Sequence, residues 1–532
     1  MSAISVFDGT RPSRQGDLTV ETAGIVPIPE GARYGAMRRN FTVWFAPNME
    51  LSGVFTGTLA ATLGLGLWTG LAAIAVGVLL GAVPVAGLSL WGPRTGMAQL
   101  PLARLPFGRA IAIPALVQWL SSVAWDGLVG LFGGEAAQIL FHVPFAVGVA
   151  IVLALEGLVG VLGYEYIHRL ESWGAGVLTV IFVLLSYKVL ERGNFPVHNT
   201  VHGGAAVGMF VLMATIAFSG GFSWATYAAD YSRYMPADTP RRPLFWYTFA
   251  GLAGSFLWVY TIGLLGAKAL TSQTAAGVQI LMGGGFLGGL ALVAVVFGAI
   301  TSNAMNDYSG SLAVQAGGVR IKRHLSAAIG TVIAFFLILW LHTGDVSAKF
   351  QNVLLFTAYW IAPFLAVVLI DWRDRTHPRD RTHPRDRTHP SDRVDGVNRH
   401  TLVHMLPWEN LRSGWPALLS LAVGFGAMVP FMNTGLVVGP IATELDGADI
   451  SFFVGFAVAG LLYYPLRRLA AHPAQPAVTS DTESSEHMAP AQPAQPAPPA
   501  QPAQPAQPAQ PAQPAQPAQP AEPAGPVSPT PG

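Results

Sequence analysis

A proline, an asparagine and a glutamate sit inside the first long apolar stretch of the chain, Val43-Trp-Phe-Ala-Pro-Asn-Met-Glu50-Leu-Ser-Gly53. A helix broken there leaves main-chain carbonyls and amides unbonded at membrane depth, which a bilayer tolerates only where they line a cavity or hold a ligand. In transporters such a discontinuous helix marks the substrate and coupling-ion site. Glu50 adds an ionisable group at the same point, and an ionisable group inside a membrane is a functional site by default. A second polar set, Asn303, Asn306 and Asp307, is spaced by three and four residues, so one helical face carries it. Its amides can both donate and accept hydrogen bonds to a ligand edge. A plain proline kink, and polar groups that only bond neighbouring helices, are the structural alternatives.

The composition supplies the scaffold these residues need. Of 532 residues 52% are hydrophobic, 59 are glycine and only 11% are charged, which excludes a soluble domain of ordinary make-up. The chain reads as an all-α polytopic membrane protein. The absence of cysteine excludes disulfides, thiol catalysis and cysteine-held metals, and a formal net charge of +1 gives no nucleic-acid signature. No His-Glu-x-x-His or serine nucleophile elbow is present, so a membrane-embedded enzyme lacks its constellation and no catalytic residue is assigned. The polar N-terminus lacks the pattern of a cleaved signal peptide, and the first span is expected to act as the insertion signal.

Apolar runs long enough to cross a bilayer fall near 41–65, 68–90, 110–140, 145–164, 173–190, 205–228, 244–268, 285–312, 326–342, 350–371, 415–432 and 449–466, giving twelve spans. With both termini in the cytoplasm, 26 of the 30 Lys and Arg residues face inward, leaving Lys188, Arg192, Lys268 and Lys349 outside. The positive-inside rule selects that orientation. The expected organisation is a polar N-terminus over 1–40, a ten-helix core over 41–371, a loop over 372–413, two further helices over 414–467 and a tail over 468–532. The loop carries the hexamer Arg-Thr-His-Pro-Arg-Asp, whose proline after each histidine suits a solvated linker better than a metal site. The tail of Pro-Ala-Gln repeats cannot bury a core and is expected to be disordered.

Several separated motifs together resemble one family, the purine and cytosine permeases of the nucleobase cation symporter-1 type. They are Trp44-Phe-Ala-Pro-Asn48 with Gly53 and Gly57, Gly92-Pro-Arg-Thr-Gly-Met-Ala-Gln99 with Phe107-Gly108, and Trp125 followed by Gly133-Gly-Glu135. Further along come Trp224-Ala-Thr-Tyr-Ala-Ala-Asp230-Tyr-Ser-Arg233, Asn306-Asp-Tyr-Ser309 with Gln315, and Tyr359-Trp-Ile-Ala-Pro363 leading to Asp371. The resemblance covers about 30 to 470 and implies a leucine-transporter-like fold: two inverted five-helix repeats with broken first and sixth spans, then two peripheral helices. The sequence places the second break at Ser219-Gly-Gly-Phe-Ser223.

The resemblance also implies import of a nucleobase or related nitrogen heterocycle by cation symport across the plasma membrane. A flat heterocycle needs aromatic faces to stack on and polar groups for its edge. By resemblance, Trp125 and Trp224 supply the faces. Glu50, Asp126, Ser223, Asn303, Asn306 and Asp307 are the candidates for the edge. Glu50 stands where some relatives present glutamine, and Val129 where many present Gln or Asn, so the substrate of a relative is not transferred directly. Asp126 follows Trp125, and successive helical residues point about 100° apart. For sodium, the family's ligand set matches the main-chain carbonyls of Ala46, Met49 and Gly298 with the hydroxyls of Thr301 and Ser302. Proton coupling through Glu50, Asp126 or Glu135, with allantoin, a hydantoin or another heterocycle as substrate, is the alternative. No other cofactor is expected.

Overall fold

The computed structural model describes residues 21, 23–162, 164–270, 274–376, 393–394 and 397–471. The first twenty residues, most of the hexamer repeat and the Pro-Ala-Gln tail lie outside the described residues.

Among the described residues eight helices are long and apolar enough to cross a membrane: 67–95, 99–141, 164–192, 203–227, 241–270, 285–316, 346–376 and 451–470. Four shorter apolar helices, Leu51–Thr62, Phe145–Gly160, Leu325–Leu341 and Trp415–Phe431, complete the twelve expected spans. One small departure from all-α lies in the loop after the tenth span, where Arg393–Val394 pairs antiparallel with Val397–Asn398.

The first span is split as its sequence demands. A helix over Met37–Phe45 tightens into a 3-10 turn over Ala46–Asn48, and a second helix runs over Leu51–Thr62. Pro47 has no N–H to give to the turn before it, so the ladder stops there. Met49 and Glu50 leave helical geometry, at φ −81°, ψ 64° and φ −140°, ψ 170°.

The break in the sixth span falls later than the sequence suggests. Its helix runs unbroken over Gly203–Phe222 and gives way at Ser223–Tyr227 to a 3-10 segment, with no return to regular helix before Arg241. Ser219 does not interrupt the ladder, because its hydroxyl donates back to the Ile216 carbonyl at 2.8 Å. Glycines instead let neighbouring spans approach: a side chain at Gly81 of the second span would meet the Phe218 carbonyl at 2.6 Å, and one at Gly220 would meet the Tyr260 hydroxyl of the seventh span at 2.1 Å. Small residues at helix contacts are the usual packing device in membranes.

The first and seventh spans meet by the same means. A Cβ on Gly263 would lie 1.9 Å from the Val54 carbonyl, and one on Gly57 2.1 Å from the Tyr260 carbonyl. That fixes the second half of the broken span against the bundle. The twelfth span closes on the tenth through Tyr463, whose hydroxyl donates to Asp371 at 3.0 Å, and through Arg467, which pairs with Asp371 at 3.3 Å and Asp374 at 3.0 Å.

Candidate functional site

The two breaks face each other across a small cavity lined by Asn48, Glu50, Ser52, Trp125, Val129, Trp224, Phe256, Tyr260 and Ser302, among others. Its volume is about 10 Å³, space for roughly one water. A flat ring enters only if these walls part, so the structure is a closed state of the site.

Trp125 and Trp224 both line this cavity, from the third span and the break of the sixth. Trp224 is pinned. Its indole Nε1 donates to Asn48 Oδ1 at 3.1 Å, while Asn48 Nδ2 donates to the Trp44 carbonyl at 2.7 Å. Trp44 packs edge-on beneath Trp224, with ring centroids 5.7 Å apart and planes at 85°. Asn48 thus ties the two breaks together, a role carried by its place one residue after Pro47.

Glu50 lines the cavity and caps the second half of the first span. Its carboxylate accepts from the Ser52 amide at 2.5 Å, the Ser52 hydroxyl at 2.6 Å and the Gly53 amide at 3.0 Å. These donors and the positive end of the helix dipole compensate the burial of the carboxylate. Three of its roughly four lone-pair positions are used, leaving one for the cavity.

Of the residues matched to a sodium set, Gly298 is brought against the first break. A side chain on Gly298 would lie 3.1 Å from the Met49 carbonyl and 3.3 Å from Glu50 Cβ, so the eighth span presses directly on the break that includes Ala46 and Met49. Thr301 and Ser302 are buried one turn further along that helix. The Thr301 hydroxyl donates to the Gly298 carbonyl at 3.1 Å, which leaves its own oxygen as an acceptor. A small hard cation is held by such oxygens, and the donor set present fits one.

Five of the expected substrate contacts are placed elsewhere. Ser223 gives its hydroxyl to the Gly220 carbonyl at 2.8 Å. Asn303 donates to Glu156 of the fourth span at 2.7 Å and to the Asp126 carbonyl at 3.2 Å, and Asn306 reaches Asn303 at 3.5 Å. Asp307 packs beneath Gly160, where an added Cβ would lie 2.7 Å from its own. Asp126, Asn303, Asn306 and Asp307 fill the space between the third, fourth and eighth spans, Ser223 stays in the break of the sixth, and none of the five lines the cavity. Among the cavity residues that sequence reasoning did not single out, Thr56 lies on the second half of the first span, and Phe256 and Tyr260 stand one helical turn apart on the seventh span and carry no motif.

At the end of the bundle where the first span begins and the sixth ends, the chain before the first span is built into the closure. Glu21 accepts from Arg233 at 2.6 Å and Tyr234 at 2.7 Å, and Tyr308 reaches it at 3.1 Å. Arg233 also donates to the Gly24 carbonyl at 2.7 Å. Arg39 and Tyr34 bond Glu165 of the fifth span at 3.0 and 3.2 Å. Charge-assisted bonds of this kind contribute about 1.5–3 kcal/mol each. Glu21→Ala is therefore expected to open this end about tenfold to a hundredfold more often. The chain has no cysteine, so maleimide labelling of a thiol placed by Ala228→Cys, at a buried position, reads the opening directly; equal labelling rates with and without Glu21 would dismiss the gate.

Residues 27–377 match the family described as permeases for cytosine/purines, uracil, thiamine and allantoin. The chain belongs to that family. The permease is 25% identical over 473 residues to the purine-cytosine permease fcyB of Emericella nidulans, covering 85% of this chain and 89% of that one. It is 25% identical over 512 residues to the vitamin B6 transporter TPN1 of Saccharomyces cerevisiae, covering 85% and 88%. Its fold matches that of Mhp1, a nucleobase-cation-symport-1 family transporter in a closed conformation with bromovinylhydantoin bound, at a TM-score of 0.64 and 17% identity over 85% of this chain and 96% of that one. The permease is thus a polytopic membrane transporter of leucine-transporter-like fold and not an enzyme.

Proposed function

We propose that the permease imports a nucleobase or related nitrogen heterocycle by cation symport with alternating access. The observation that carries this reading is the pair Trp125 and Trp224, brought to one cavity by a third span and a broken sixth span, with the broken first span as its floor. Two aromatic walls and a mixed polar edge suit a flat ring with donors and acceptors on its rim. Purine-cytosine and vitamin B6 transport by relatives, and hydantoin binding by Mhp1, fit a site for flat nitrogen heterocycles. Glu50 reads the substrate edge with its one remaining acceptor position. Asp126, Ser223, Asn303, Asn306 and Asp307 act from behind the walls or reach the ring only when the site opens.

The transport core is the ten-helix part over 41–371, with the helices of 414–467 peripheral to it. The protein sits in the plasma membrane with both termini cytoplasmic, a placement supported by the inward bias of its Lys and Arg residues. Uptake of tritiated cytosine, uracil, hypoxanthine, guanine and allantoin into proteoliposomes, with imposed sodium or pH gradients, tests the reading. Accumulation above the external concentration supports it; equilibration without accumulation under either gradient would remove the cation coupling.

For the coupling ion we propose sodium, held by the Ala46, Met49 and Gly298 carbonyls and the Thr301 and Ser302 hydroxyls. Thr301→Ala with Ser302→Ala is expected to reduce the sodium dependence of substrate binding by about tenfold or more, since ion and substrate strengthen each other equally through linkage. Wild-type transport that is unchanged in sodium-free buffer and collapses under a protonophore would transfer the coupling to a carboxylate.

A further inference from the structure

Behind Trp125, three acids from three helices meet. Asp126 of the third span, Glu156 of the fourth and Asp307 of the eighth are buried and lie within electrostatic reach of one another. Asn303 stands among them with its amide nitrogen turned toward Glu156 and the Asp126 main chain. Like charges this close, away from water, cannot all be ionised together. Donor hydrogens aimed inward also oppose a metal cation, and no cluster of acids and histidines suited to a metal occurs among the described residues.

A second observation extends the site. Asp126 Oδ1, the Tyr227 hydroxyl and Gln118 Oε1 are buried and make no hydrogen bond of full strength, with Asn306 beside Asp126 and with Gln118 and Ser122 beside Tyr227. Gln118, Ser122 and Asp126 recur every four residues on one face of the third span. Tyr227, in the break of the sixth span, lies within reach of all three. Buried polar atoms left short of full hydrogen bonds are rare and cost up to about 1–3 kcal/mol each. A seam of three such atoms is suited to an occupant that comes and goes.

We propose that Asp126, Glu156 and Asp307 form a proton-binding centre, loaded and emptied along the seam through Tyr227 and Gln118, which couples a proton in addition to the sodium ion held at the first break. The inference rests on the transport reading. The step is a transfer of one proton between water in the seam and a carboxylate oxygen of the centre, with no other bond made or lost. Trp125 immediately precedes Asp126, and Trp224 stands three residues before Tyr227, so substrate closing on the two indoles moves both sides of the seam. That is the linkage a coupled proton requires.

Of the other ionisable groups around the centre, Asp230, within electrostatic reach of Tyr227, accepts from the Gln99 amide at 2.7 Å. The half-helix Leu51–Thr62 and the ninth span over Leu325–Leu341 contribute no acid, base or histidine. Lys349 and Asp371 of the tenth span are engaged by Thr343 and Arg375, and Glu135 of the third faces His342 at 3.7 Å. The fifth span, packed on the fourth and eighth, adds buried His168 and Glu171, and neither bonds to the three acids.

The test has two arms. Infrared titration of the purified protein reads the C=O stretch of protonated carboxyls without any substrate, and Asp126→Asn and Glu156→Gln should each remove part of that band. In proteoliposomes, Glu156→Gln should retain exchange of tritiated cytosine, hypoxanthine or uracil while losing pH-driven accumulation at least tenfold. An unchanged carboxyl band in both variants, or wild-type uptake with no accompanying proton movement, would overturn the proton centre. Absence of exchange of all three bases by the wild type would count instead against the transport reading, and the infrared arm would still decide the centre.

Discussion

Trp125→Ala and Trp224→Ala are each expected to weaken binding of a flat heterocycle by about tenfold to more than a hundredfold, with the protein still folded. Stacking of a base on an aromatic side chain contributes about 1–3 kcal/mol, and about 1.4 kcal/mol is tenfold in affinity. The two variants should differ in their side effects. Trp224 is held by Asn48 and by Trp44, so its loss also frees the contact between the two breaks. Trp125 is less buried and carries no such tie, so its loss should be confined to the substrate. Binding measured by displacement of tritiated cytosine, hypoxanthine or guanine, beside thermal unfolding, separates the two effects. Wild-type affinity in both variants, with normal melting, would mean that the substrate sits elsewhere.

The architecture was legible in the sequence because the signals that set it are local. Apolar length gives the spans, Pro47 gives the first break, and the family motifs give the order of the helices. The second break begins only at the last residue of the expected segment, for a physical reason. Glycine and serine in Ser219-Gly-Gly-Phe-Ser223 read as helix breakers from the chain alone, yet the serines bond back to their own turns, Gly220 faces Tyr260 of the seventh span and Gly221 faces the second span. Small residues mean one thing to an isolated helix and another to a packed one.

The site was legible in part. Trp125, Trp224, Glu50 and Ser302 come to one cavity, since residues at and opposite a helix break are positioned by it. Asn303, Asn306 and Asp307 do share a helical region, but periodicity says which residues share a face and not which neighbour that face meets. Glu156, a lone acid in the fourth span, is that neighbour. Long-range partners of this kind carry no local signature, and neither does Glu21, whose bond to Arg233 joins residues 212 apart in the chain.

Glu50→Gln is expected to act at two levels, and a competition series resolves them. The carboxylate accepts from two main-chain amides and one hydroxyl, so the amide nitrogen of glutamine would have to replace an acceptor that faces donors. Loss of a helix cap costs about 1 kcal/mol, and an unsatisfied buried donor about 1–3 kcal/mol. Affinity for every substrate should therefore fall about tenfold, and Ser52→Ala, which removes one of the three donors, should restore part of it. Beyond that uniform loss, the single lone-pair position left to the cavity is what a ring edge can use. Guanine, whose second N–H donor would abut the N–H that glutamine adds, should lose more than hypoxanthine, cytosine or uracil, whose edges set an acceptor beside the donor. A loss that is equal across all four bases would show that Glu50 holds the half-helix in place without reading the substrate, and the selectivity would then fall to the walls formed by Trp125, Val129 and Trp224.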